Sequence, residues 1–336
     1  MREYTAQVNS GSILSEDEMR QAGQQMLAEE TKPEEIREFL IALHTRGEAA
    51  PEIAGLVGEL LSRTANIDAG DYELMDVCGT GGDKSHSFNI STAVAFVLAS
   101  LDVKVAKHGN RSVSSKAGSS DLLEAIGVDV NVAAERFNEV IEETGLAFLF
   151  APAIHPAIGR LRDVRKSIDT PTIFNLAGPL ANPIPVTYQV TGVYRKDKMR
   201  PMAEALVKLG RKRGAVLHGA GGMDELSLAG DNHVILFDEN GLTDMIIHPH
   251  DVGLNVQPIE ALRGGDAQRN AEIFRELIAG KESAYQDVVA LNAGLALYVA
   301  GRVSCVAEGV KEAKRSLSSG RVEAVYRKLV AQEVSQ

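Results

Sequence analysis

From Tyr72 onwards, short apolar runs that end in glycine turns alternate with segments of helical length. The runs "ELMDVCGTGG" and "DVKVAKHG" indicate strands, and "NISTAVAFVLASL" between them is typical of a helix. Strand, loop, helix, strand is the pattern of an α/β domain. Ligands of such domains bind where the strands give way to loops at their carboxyl ends. The sequence therefore predicts an α/β fold with its site in these loops.

The first 70 residues differ from the rest because they predict helices alone. Ser15 begins "SEDE", a capping-box sequence with Glu18 three positions on, which predicts the start of a helix. Three amphipathic helices are predicted in this region, at about 15–28, 33–47 and 51–64. Their apolar stripes must be buried in the main body or in a partner subunit.

We therefore expect two domains. The small, mostly helical domain is predicted at 1–70, joined by part of 166–190. The larger α/β domain is predicted at 71–165 and 190–336, with a central, largely parallel or mixed sheet flanked by helices. Two clear helices, at about 268–279 and 286–300, and two shorter ones are predicted to close the chain.

Charge and composition narrow the classes of partner. Acidic residues outnumber basic ones by 46 to 35, a formal charge of −11, which argues against a nucleic-acid binder. No apolar run approaches the roughly 18 residues of a membrane-spanning helix, so no membrane partner is expected. Two cysteines, Cys78 and Cys305, are too few for a disulfide framework and favour a reducing, cytoplasmic location.

The glycine loop "GTGGDKSHSFNIST" follows the first predicted strand. It fits neither the ATP-binding G-x-x-x-x-G-K-[ST] pattern, since Asp83 precedes Lys84, nor the dinucleotide G-x-G-x-x-G pattern. Glycines bring backbone N–H groups close to an anion, and a helix that begins near Asn89 adds its positive dipole end. The loop predicts a site for phosphate or pyrophosphate, with a tight turn that holds no ligand as the alternative.

Two basic segments follow later predicted strands. "KHGNRSVSSKAGSSD", from Lys107 to Asp121, concentrates cations and hydroxyl groups that could surround a phosphate ester; the alternative is a solvated loop. "GRLRDVRKS" carries three arginines, one of which could bind a carboxylate in bidentate fashion. The residues alone do not say which arginine.

A pair of adjacent carboxylates, Asp224 and Glu225, follows the glycine-rich turn "HGAGG". Mg²⁺ prefers a few carboxylates together with waters and substrate phosphates, so this pair could bind it. A solvated acidic turn is the alternative. The sequence contains no G-x-S-x-G or similar nucleophile motif, which favours a substrate that already carries a good leaving group.

Taken together, these segments resemble the anthranilate phosphoribosyltransferase family. The resemblance rests on "GTGGD" with "FNIST", "KHGNRSVSS", "TIFNLAGPLANP" and "GGMDELS", and extends to "GGDAQRNAEIFRELIAGK" and "VVALNAGLALYVAG" near the end. It implies transfer of the 5-phosphoribosyl group from phosphoribosyl pyrophosphate to the amine of anthranilate, in tryptophan biosynthesis. It also implies a transferase that uses two Mg²⁺ ions per subunit and forms a homodimer through its N-terminal helices.

The resemblance assigns site residues by matching motifs, and it implies no catalytic acid, base or nucleophile. The residues implied to contact phosphoribosyl pyrophosphate are Gly79, Gly82, Asp83, Ser87, Asn89, Ile90, Ser91, Thr92, Lys107, His108, Gly109, Asn110, Arg111, Ser112, Val113, Ser114, Ser115 and Ser119. Those implied for anthranilate are Gly79, His108, Asn110, Arg165, Gly178 and Pro179. Those implied for Mg²⁺ are Ser91, Asp224 and Glu225.

Some positions depart from the family pattern. Pro171 stands where an arginine is common, and Ala177 where a leucine is common, both close to Gly178 and Pro179. The match to the family is therefore better at the donor site than at the pocket implied for anthranilate. Two alternatives are phosphorolysis of nucleosides, as in the pyrimidine nucleoside phosphorylases of the same fold group, and a catalytically silent relative that binds nucleic acid.

Overall fold

The computed structural model describes residues 1–65, 67–109, 117–130 and 134–334. The N-terminal region forms the helices α1 (Arg2–Asn9), α2 (Glu16–Leu27), α3 (Pro33–Arg46) and α4 (Ala50–Ser62). The predicted capping box is present, since the Glu18 amide donates to Ser15 Oγ and the Ser15 amide donates to Glu18 Oε2. Helices α2, α3 and α4 lie close to their predicted bounds, whereas α1 was not predicted.

The rest of the chain surrounds one sheet. Its strands are β1 (Met75–Gly79), β2 (Val105–Gly109), β3 (Leu146–Phe150), β4 (Tyr188–Gly192), β5 (Arg213–His218), β6 (Asn232–Asp238) and β7 (Gly241–Ile247). They lie in the order β3-β2-β1-β4-β5-β6-β7. Strands β1 to β5 pair in parallel, and β6 and β7 add an antiparallel hairpin at one edge. The predicted fold class, a helical domain plus a mixed α/β sheet domain, is confirmed.

Helices lie between and beyond these strands. They are α5 (Ile90–Ala99), α6 (Ser119–Ala125), α7 (Phe137–Thr144), α8 (Ala151–Ile154), α9 (Pro156–Gly159), α10 (Arg162–Lys166), α11 (Ile173–Ala177), α12 (Met199–Lys208), α13 (Ala267–Ile278), α14 (Ala284–Val299), α15 (Val306–Ser318) and α16 (Arg321–Val334). Single 3₁₀ turns occupy Ala134–Arg136, Gly178–Leu180, Lys196–Lys198, Pro249–Val252 and Ile259–Leu262. Helices α15 and α16 have 13 and 14 residues and α13 has 12, so the prediction that the last two helices are shorter than the preceding pair is wrong with respect to α13.

Two hydrophobic clusters divide the interior. One fills the space around the sheet, α5 and the C-terminal helices. The other joins α2, α3 and α4 to residues 161–181, to α12 and to the face of β6 that carries Ile235 and Phe237. Phe39, Leu40 and Leu43 of α3 are fully buried in it. The apolar stripes of the N-terminal helices are thus covered within the chain itself, so they do not by themselves require a partner subunit.

The strand order places a switch point at the centre of the sheet. Strands β2 and β4 lie on opposite sides of β1, so the connections that follow β1 and β4 run in opposite directions and leave a crevice between them. The Thr80 amide donates to the Gly192 carbonyl at 3.0 Å, which joins the ends of these two strands. Open parallel sheets bind ligands in such a crevice, at the carboxyl ends of the strands. No helix in the described part of the chain is both long and apolar enough to cross a membrane.

Candidate active site at the switch point

Glycines at the ends of β1 and β4 allow Asp224 to lie against the sheet. A Cβ atom built on Gly192 would come within 1.6 Å of the Asp224 carbonyl oxygen, and one on Gly79 within 2.3 Å of Asp224 Oδ2. Gly81 and Gly82 have φ angles of 68° and 83°, a left-handed conformation that glycine adopts without strain. The glycine loop therefore needs glycine at 79 because Asp224 approaches closely, and at 81 and 82 because of their left-handed φ angles.

Asp224 and Glu225 each bind a segment of the glycine loop or the helix after it. The Gly81 amide donates to Asp224 Oδ2 at 2.6 Å, and the Ser91 amide donates to Glu225 Oε1 at 3.1 Å. Removal from solvent, then the charges of Asp83 and Glu225, raise the pKa of Asp224 well above its ordinary value. Burial likewise raises the pKa of Glu225 to about 7, against the opposing effect of Lys107. Asp224, Glu225 and the nearby Asp83 bring three carboxyl groups together, and a bound cation would offset their mutual repulsion.

Asp83 is the third carboxylate. Its Oδ1 accepts a hydrogen bond from the Ser85 amide at 3.1 Å, while its buried Oδ2 has no hydrogen-bond partner in the described part of the chain. Within the same part, no group of three or more His, Cys, Asp or Glu side chains could hold a metal ion by itself. Mg²⁺ is often bound by one or two carboxylates and completes its shell with waters and phosphate oxygens. The donor set therefore fits Mg²⁺ bound together with a phosphate ester.

Lys107 lies close to these carboxylates, at the middle of β2. Only 2% of it is exposed, and its Nζ donates to the Val77 carbonyl and to Ser91 Oγ. Its positive charge opposes the rise in pKa of both Glu225 and Asp76, the buried carboxyl of β1. Lys107 is thus a buried cation among acidic groups, which stabilises their charged forms.

The first turn of α5 faces the glycine loop. Asn89 is the N-cap residue, and Ile90, Ser91 and Thr92 begin the helix. Both polar atoms of the Asn89 side chain form hydrogen bonds within the protein: Nδ2 donates to the Ala117 carbonyl, and Oδ1 accepts from Asn270 Nδ2. Thr92 is fully buried, and its Oγ1 has no partner among the described residues. The Ser91 amide is already bonded to Glu225 and the Ile90 amide to the Phe88 carbonyl, so this turn offers an anion the Ser91 hydroxyl and the positive end of the helix dipole.

The other predicted donor contacts are only partly described. Ser87 forms an isolated β-bridge with Arg263. A Cβ on Gly109 would lie 3.4 Å from Ser119 Cβ, so the end of β2 and the start of α6 are adjacent. Residues 110–116 of the basic loop between them lie outside the described residues, and with them the predicted contacts Asn110, Arg111, Ser112, Val113, Ser114 and Ser115.

On the opposite side of β2, His108 faces the segment predicted to hold the aromatic substrate. Its ring lies 5.4 Å from that of His155, edge to face, and interacts with the Gly178 carbonyl. Burial, with the nearby His155 and Lys107, lowers the pKa of His108 to about 3, so its imidazole is neutral at physiological pH. Its Nε2 is buried without a partner in the described part of the chain. His108 therefore offers one free ring nitrogen to a ligand.

Gly178 and Pro179 form a 3₁₀ turn near His108. A Cβ on Gly178 would meet no atom within 4 Å, so this position borders open space. The Pro179 carbonyl accepts from Gln189 Nε2 at 2.7 Å, which fixes the turn to β4. Of the two departures in this region, Pro171 is exposed and Ala177 is fully buried in the helical cluster.

Arg165 lies on α10 and is half-buried. Its guanidinium stacks over the Phe174 ring at 5.1 Å and forms no ion pair within the described part of the chain. Burial lowers its pKa, although a guanidinium stays charged at physiological pH. An arginine held by an aromatic ring and lacking a carboxylate partner can bind one from a ligand. The structure thus distinguishes Arg165 from the exposed Arg160 and Arg162, which the sequence did not.

Sequence reasoning missed Tyr194, which follows β4 at the switch point. A Cβ on Gly82 would lie 3.5 Å from Tyr194 Cε1, so this half-buried ring packs against the glycine loop. Tyr194 directly follows the run "YQVTGV", and the rule that sites form at strand ends could have selected this tyrosine.

Comparison with known proteins identifies the family. A model of the glycosyl transferase family helical bundle domain matches residues 2–64, and one of that family's a/b domain matches residues 71–323. Anthranilate phosphoribosyltransferase of Exiguobacterium sibiricum is 48% identical over 321 residues, 96% of this chain and 95% of that protein. The chain belongs to the anthranilate phosphoribosyltransferase family.

Other members of the family agree in sequence and structure. The Bacillus cereus enzyme is 45% identical over 98% of this chain and 97% of its own length. The Thermus thermophilus crystal structure superposes with a TM-score of 0.91 at 41% identity, covering 98% of each chain. The Saccharomyces cerevisiae enzyme in complex with PRPP and Mg gives a TM-score of 0.91 at 25% identity, over 100% of this chain and 98% of that one. The predicted family and the prediction of a glycosyltransferase enzyme are confirmed.

Proposed function

We propose that the switch-point site carries out the reaction of the family. The enzyme transfers the 5-phosphoribosyl group of phosphoribosyl pyrophosphate to the amine of anthranilate. The products are N-(5-phosphoribosyl)anthranilate and pyrophosphate, in tryptophan biosynthesis. The observation that carries the proposal is that Asp224 and Glu225 are hydrogen-bonded to Gly81 and Ser91. The carboxylates proposed for the metal thus lie against the glycine loop and the first turn of α5, which are proposed for the phosphate.

The donor would lie on the glycine loop and the first turn of α5. Gly79, Gly82 and Asp83 lie on one side, and the residues 89–92 lie on the other. Ser87, Lys107, His108, Gly109 and Ser119 complete the proposed donor site, together with the predicted contacts in the 110–115 loop. Backbone amides and a helix start favour the charge of a pyrophosphate because they present fixed dipoles with little reorganisation.

Mg²⁺ is proposed to bind at two positions, one at Ser91 and one at Asp224 and Glu225. The hydrogen bond between the Ser91 amide and Glu225 places these residues side by side. Bound there, Mg²⁺ would neutralise charge that develops on the leaving pyrophosphate. The unpartnered Oδ2 of Asp83 and the raised pKa values of the carboxyl pair support a cation in this crevice.

The chemistry needs positioning more than proton transfer. The anthranilate nitrogen forms a bond to the ribose C1, the C1–O bond to pyrophosphate breaks, and its electron pair leaves with the pyrophosphate. The aromatic amine is already a nucleophile and loses its proton afterwards. No side chain is therefore proposed as a catalytic acid or base. The protein contributes by holding the two reacting atoms in line and by stabilising charge on the leaving group.

Anthranilate would lie between β2 and the Gly178–Pro179 turn, with Gly79 at its inner edge. Arg165 would bind its carboxylate, and the neutral His108 and the predicted Asn110 would line the pocket. A neutral imidazole suits this place, because it can accept or donate one hydrogen bond without attracting a second anion.

The direct test follows the loss of anthranilate fluorescence on addition of phosphoribosyl pyrophosphate and Mg²⁺. We expect a decrease that requires all three components. Its absence, with the protein shown to be folded by circular dichroism, would refute the proposed function. A parallel assay with a pyrimidine nucleoside and phosphate should give no cleavage.

The domain division, assembly and location are proposed on separate grounds. The helical cluster that joins α2, α3 and α4 to 161–181 supports assigning part of 166–190 to the N-terminal domain. For a homodimer through the N-terminal helices, the supporting feature is Ile13, which is 60% exposed between α1 and α2. Light scattering of the wild type and of Ile13→Lys tests it. The scarcity of cysteine supports a cytoplasmic location.

A further inference from the structure

The segment "GGDAQRN", from Gly264 to Asn270, is not among the predicted contacts. It nevertheless lies against the glycine loop that is proposed to bind the donor, called the donor loop below. The Phe88 amide donates to the Leu262 carbonyl at 2.9 Å, and the Gly264 amide donates to the His86 carbonyl at 2.9 Å. Residues 262–264 thus pair with 86–88, the part of the donor loop that enters α5.

The paired segments are closely packed. A Cβ on Gly264 would lie 3.0 Å from Phe88 Cα and 2.5 Å from Asn270 Oδ1, so a larger residue would push them apart. On the loop side, Lys84 and His86 have φ angles of 58° and 52°. Few non-glycine residues adopt this left-handed conformation, and it persists only where surrounding contacts hold it. The pairing with 262–264 supplies such contacts.

Asn270 connects three parts of the site. It is 1% exposed, its Oδ1 accepts from the Gly265 amide at 2.8 Å, and its Nδ2 donates to Asn89 Oδ1 at 2.8 Å. Asn89 Nδ2 in turn donates to the Ala117 carbonyl at 3.2 Å. One buried amide therefore fixes the N-cap of α5, and through it the residue at the end of the basic loop.

We propose that Asn270 is a positioning residue for the donor site. It touches no reacting atom in the arrangement proposed above. Through Asn89 it sets the position of the first turn of α5, and of the Ser91 hydroxyl on it, relative to the glycine loop. Fixed donors bind an anion better than mobile ones because they need not be reordered on binding. The inference rests on the proposed function for the identity of the donor.

Variants of Asn270 separate this role from a general contribution to stability. Asn270→Asp keeps the oxygen that accepts from Gly265 but loses the N–H that Asn89 requires. Asn270→Ala removes both bonds and serves as the second variant. Phe274→Leu is the matched control, because Phe274 is a fully buried residue one turn along α13 that packs against Phe96.

The readouts are binding of pyrophosphate with Mg²⁺, measured by calorimetry, and the Michaelis constants of both substrates. For both Asn270 variants we expect binding of pyrophosphate and the KM for phosphoribosyl pyrophosphate to weaken about tenfold, as for a lost buried hydrogen bond. The KM for anthranilate should stay within about twofold. Phe274→Leu should lower Tm and leave both Michaelis constants unchanged.

A pH series adds a readout that loss of stability alone would not give. In Asn270→Asp the buried carboxyl should have a raised pKa, and once protonated it can donate to Asn89 Oδ1. The ratio of variant to wild-type dissociation constants for pyrophosphate should therefore fall towards one as the pH is lowered from about 8 to about 5.5.

Three results would overturn the inference: unchanged pyrophosphate binding in both Asn270 variants, equal weakening in Phe274→Leu, or a ratio that does not vary with pH. The binding arm does not need turnover. A wild type that binds pyrophosphate but does not consume anthranilate would contradict the proposed function and leave the test of Asn270 intact.

Discussion

The Gly81 amide donates a 2.6 Å hydrogen bond to Oδ2 of Asp224, across 143 positions of sequence. This bond joins the glycine loop after β1 to the acidic pair after β5. Both segments follow the carboxyl ends of strands in the parallel part of the sheet, so a phosphate bound to the loop and a metal bound to the acids, as proposed above, would lie within reach of each other.

Removing the carboxyl pair should abolish turnover. Asp224→Ala with Glu225→Ala removes the proposed metal ligands, and we expect kcat/KM to fall by about 10²-fold or more, since even indirect metal partners contribute 10- to 100-fold. The fluorescence assay at several Mg²⁺ concentrations measures this. Asp231→Asn, a change at an exposed carboxylate in the same region, is the control and should behave as wild type. Retained turnover in the double variant would exclude the metal role.

Arg165→Ala should weaken anthranilate and spare the donor. A hydrogen bond to a charged group contributes about 1.5–3 kcal/mol, so the KM for anthranilate should rise roughly 10- to 100-fold. Steady-state kinetics with each substrate varied in turn provides the measurement. Arg162→Ala changes an exposed arginine of the same helix and should have no effect. Equal increases in both Michaelis constants would count against the assignment.

Asp76 should make stability fall as the pH rises from about 4 to about 6. Burial, opposed by Lys107 and Asn182, raises the pKa of this carboxyl to about 6 in the folded protein. Between the unfolded and folded pKa values the folded state binds the extra proton, so stability from this group is greatest at low pH and lost by about pH 6.

The comparison of wild type with Asp76→Asn isolates this effect, because other groups titrate alike in both. The unfolding free energy of the wild type minus that of Asp76→Asn should fall by up to about 3 kcal/mol as the pH rises from about 4 to about 6. The wild type is therefore favoured at low pH. Urea unfolding at several pH values measures it. A difference that stays constant with pH would show that Asp76 keeps an ordinary pKa.

Gly192→Ala should displace the Asp224 backbone and thereby disrupt the site. Its methyl group would lie within 1.6 Å of the Asp224 backbone, so the acidic turn must move or the strand must shift. We expect a loss of about 1–3 kcal/mol in stability, as for overpacking of a core, together with loss of Mg²⁺-dependent turnover. Gly159→Ala, where the added methyl meets open space, is the matched control. Thermal unfolding and the fluorescence assay would show whether the two variants differ.

Local patterns were enough to predict the helices α2 to α4, the parallel strands and the loops at their ends. The hairpin of β6 and β7 was not predicted, although Asn240 and Gly241 between two apolar runs are a turn signal that was available. The role of Asn270 could not be read in this way. A single asparagine in a helix gives no periodic signal, and its partner Asn89 lies 181 positions away in the sequence.

The same limit applies to the N-terminal stripes. An apolar stripe shows that a helix face is covered, but the sequence does not say by what. Here residues 161–181 and α12 cover it, so the stripe is part of one chain's core and does not by itself call for a partner subunit.

The pairing of 86–88 with 262–264 also determines when, during translation, the donor loop can be completed. The donor loop is synthesised when about a quarter of the 336-residue chain is complete, but Gly264 and Asn270 follow only when about four fifths of it is complete. Until α13 has emerged, a nascent chain carries a glycine loop whose shape is not yet held. The donor loop with all of these contacts can therefore form only after residue 270 has been synthesised.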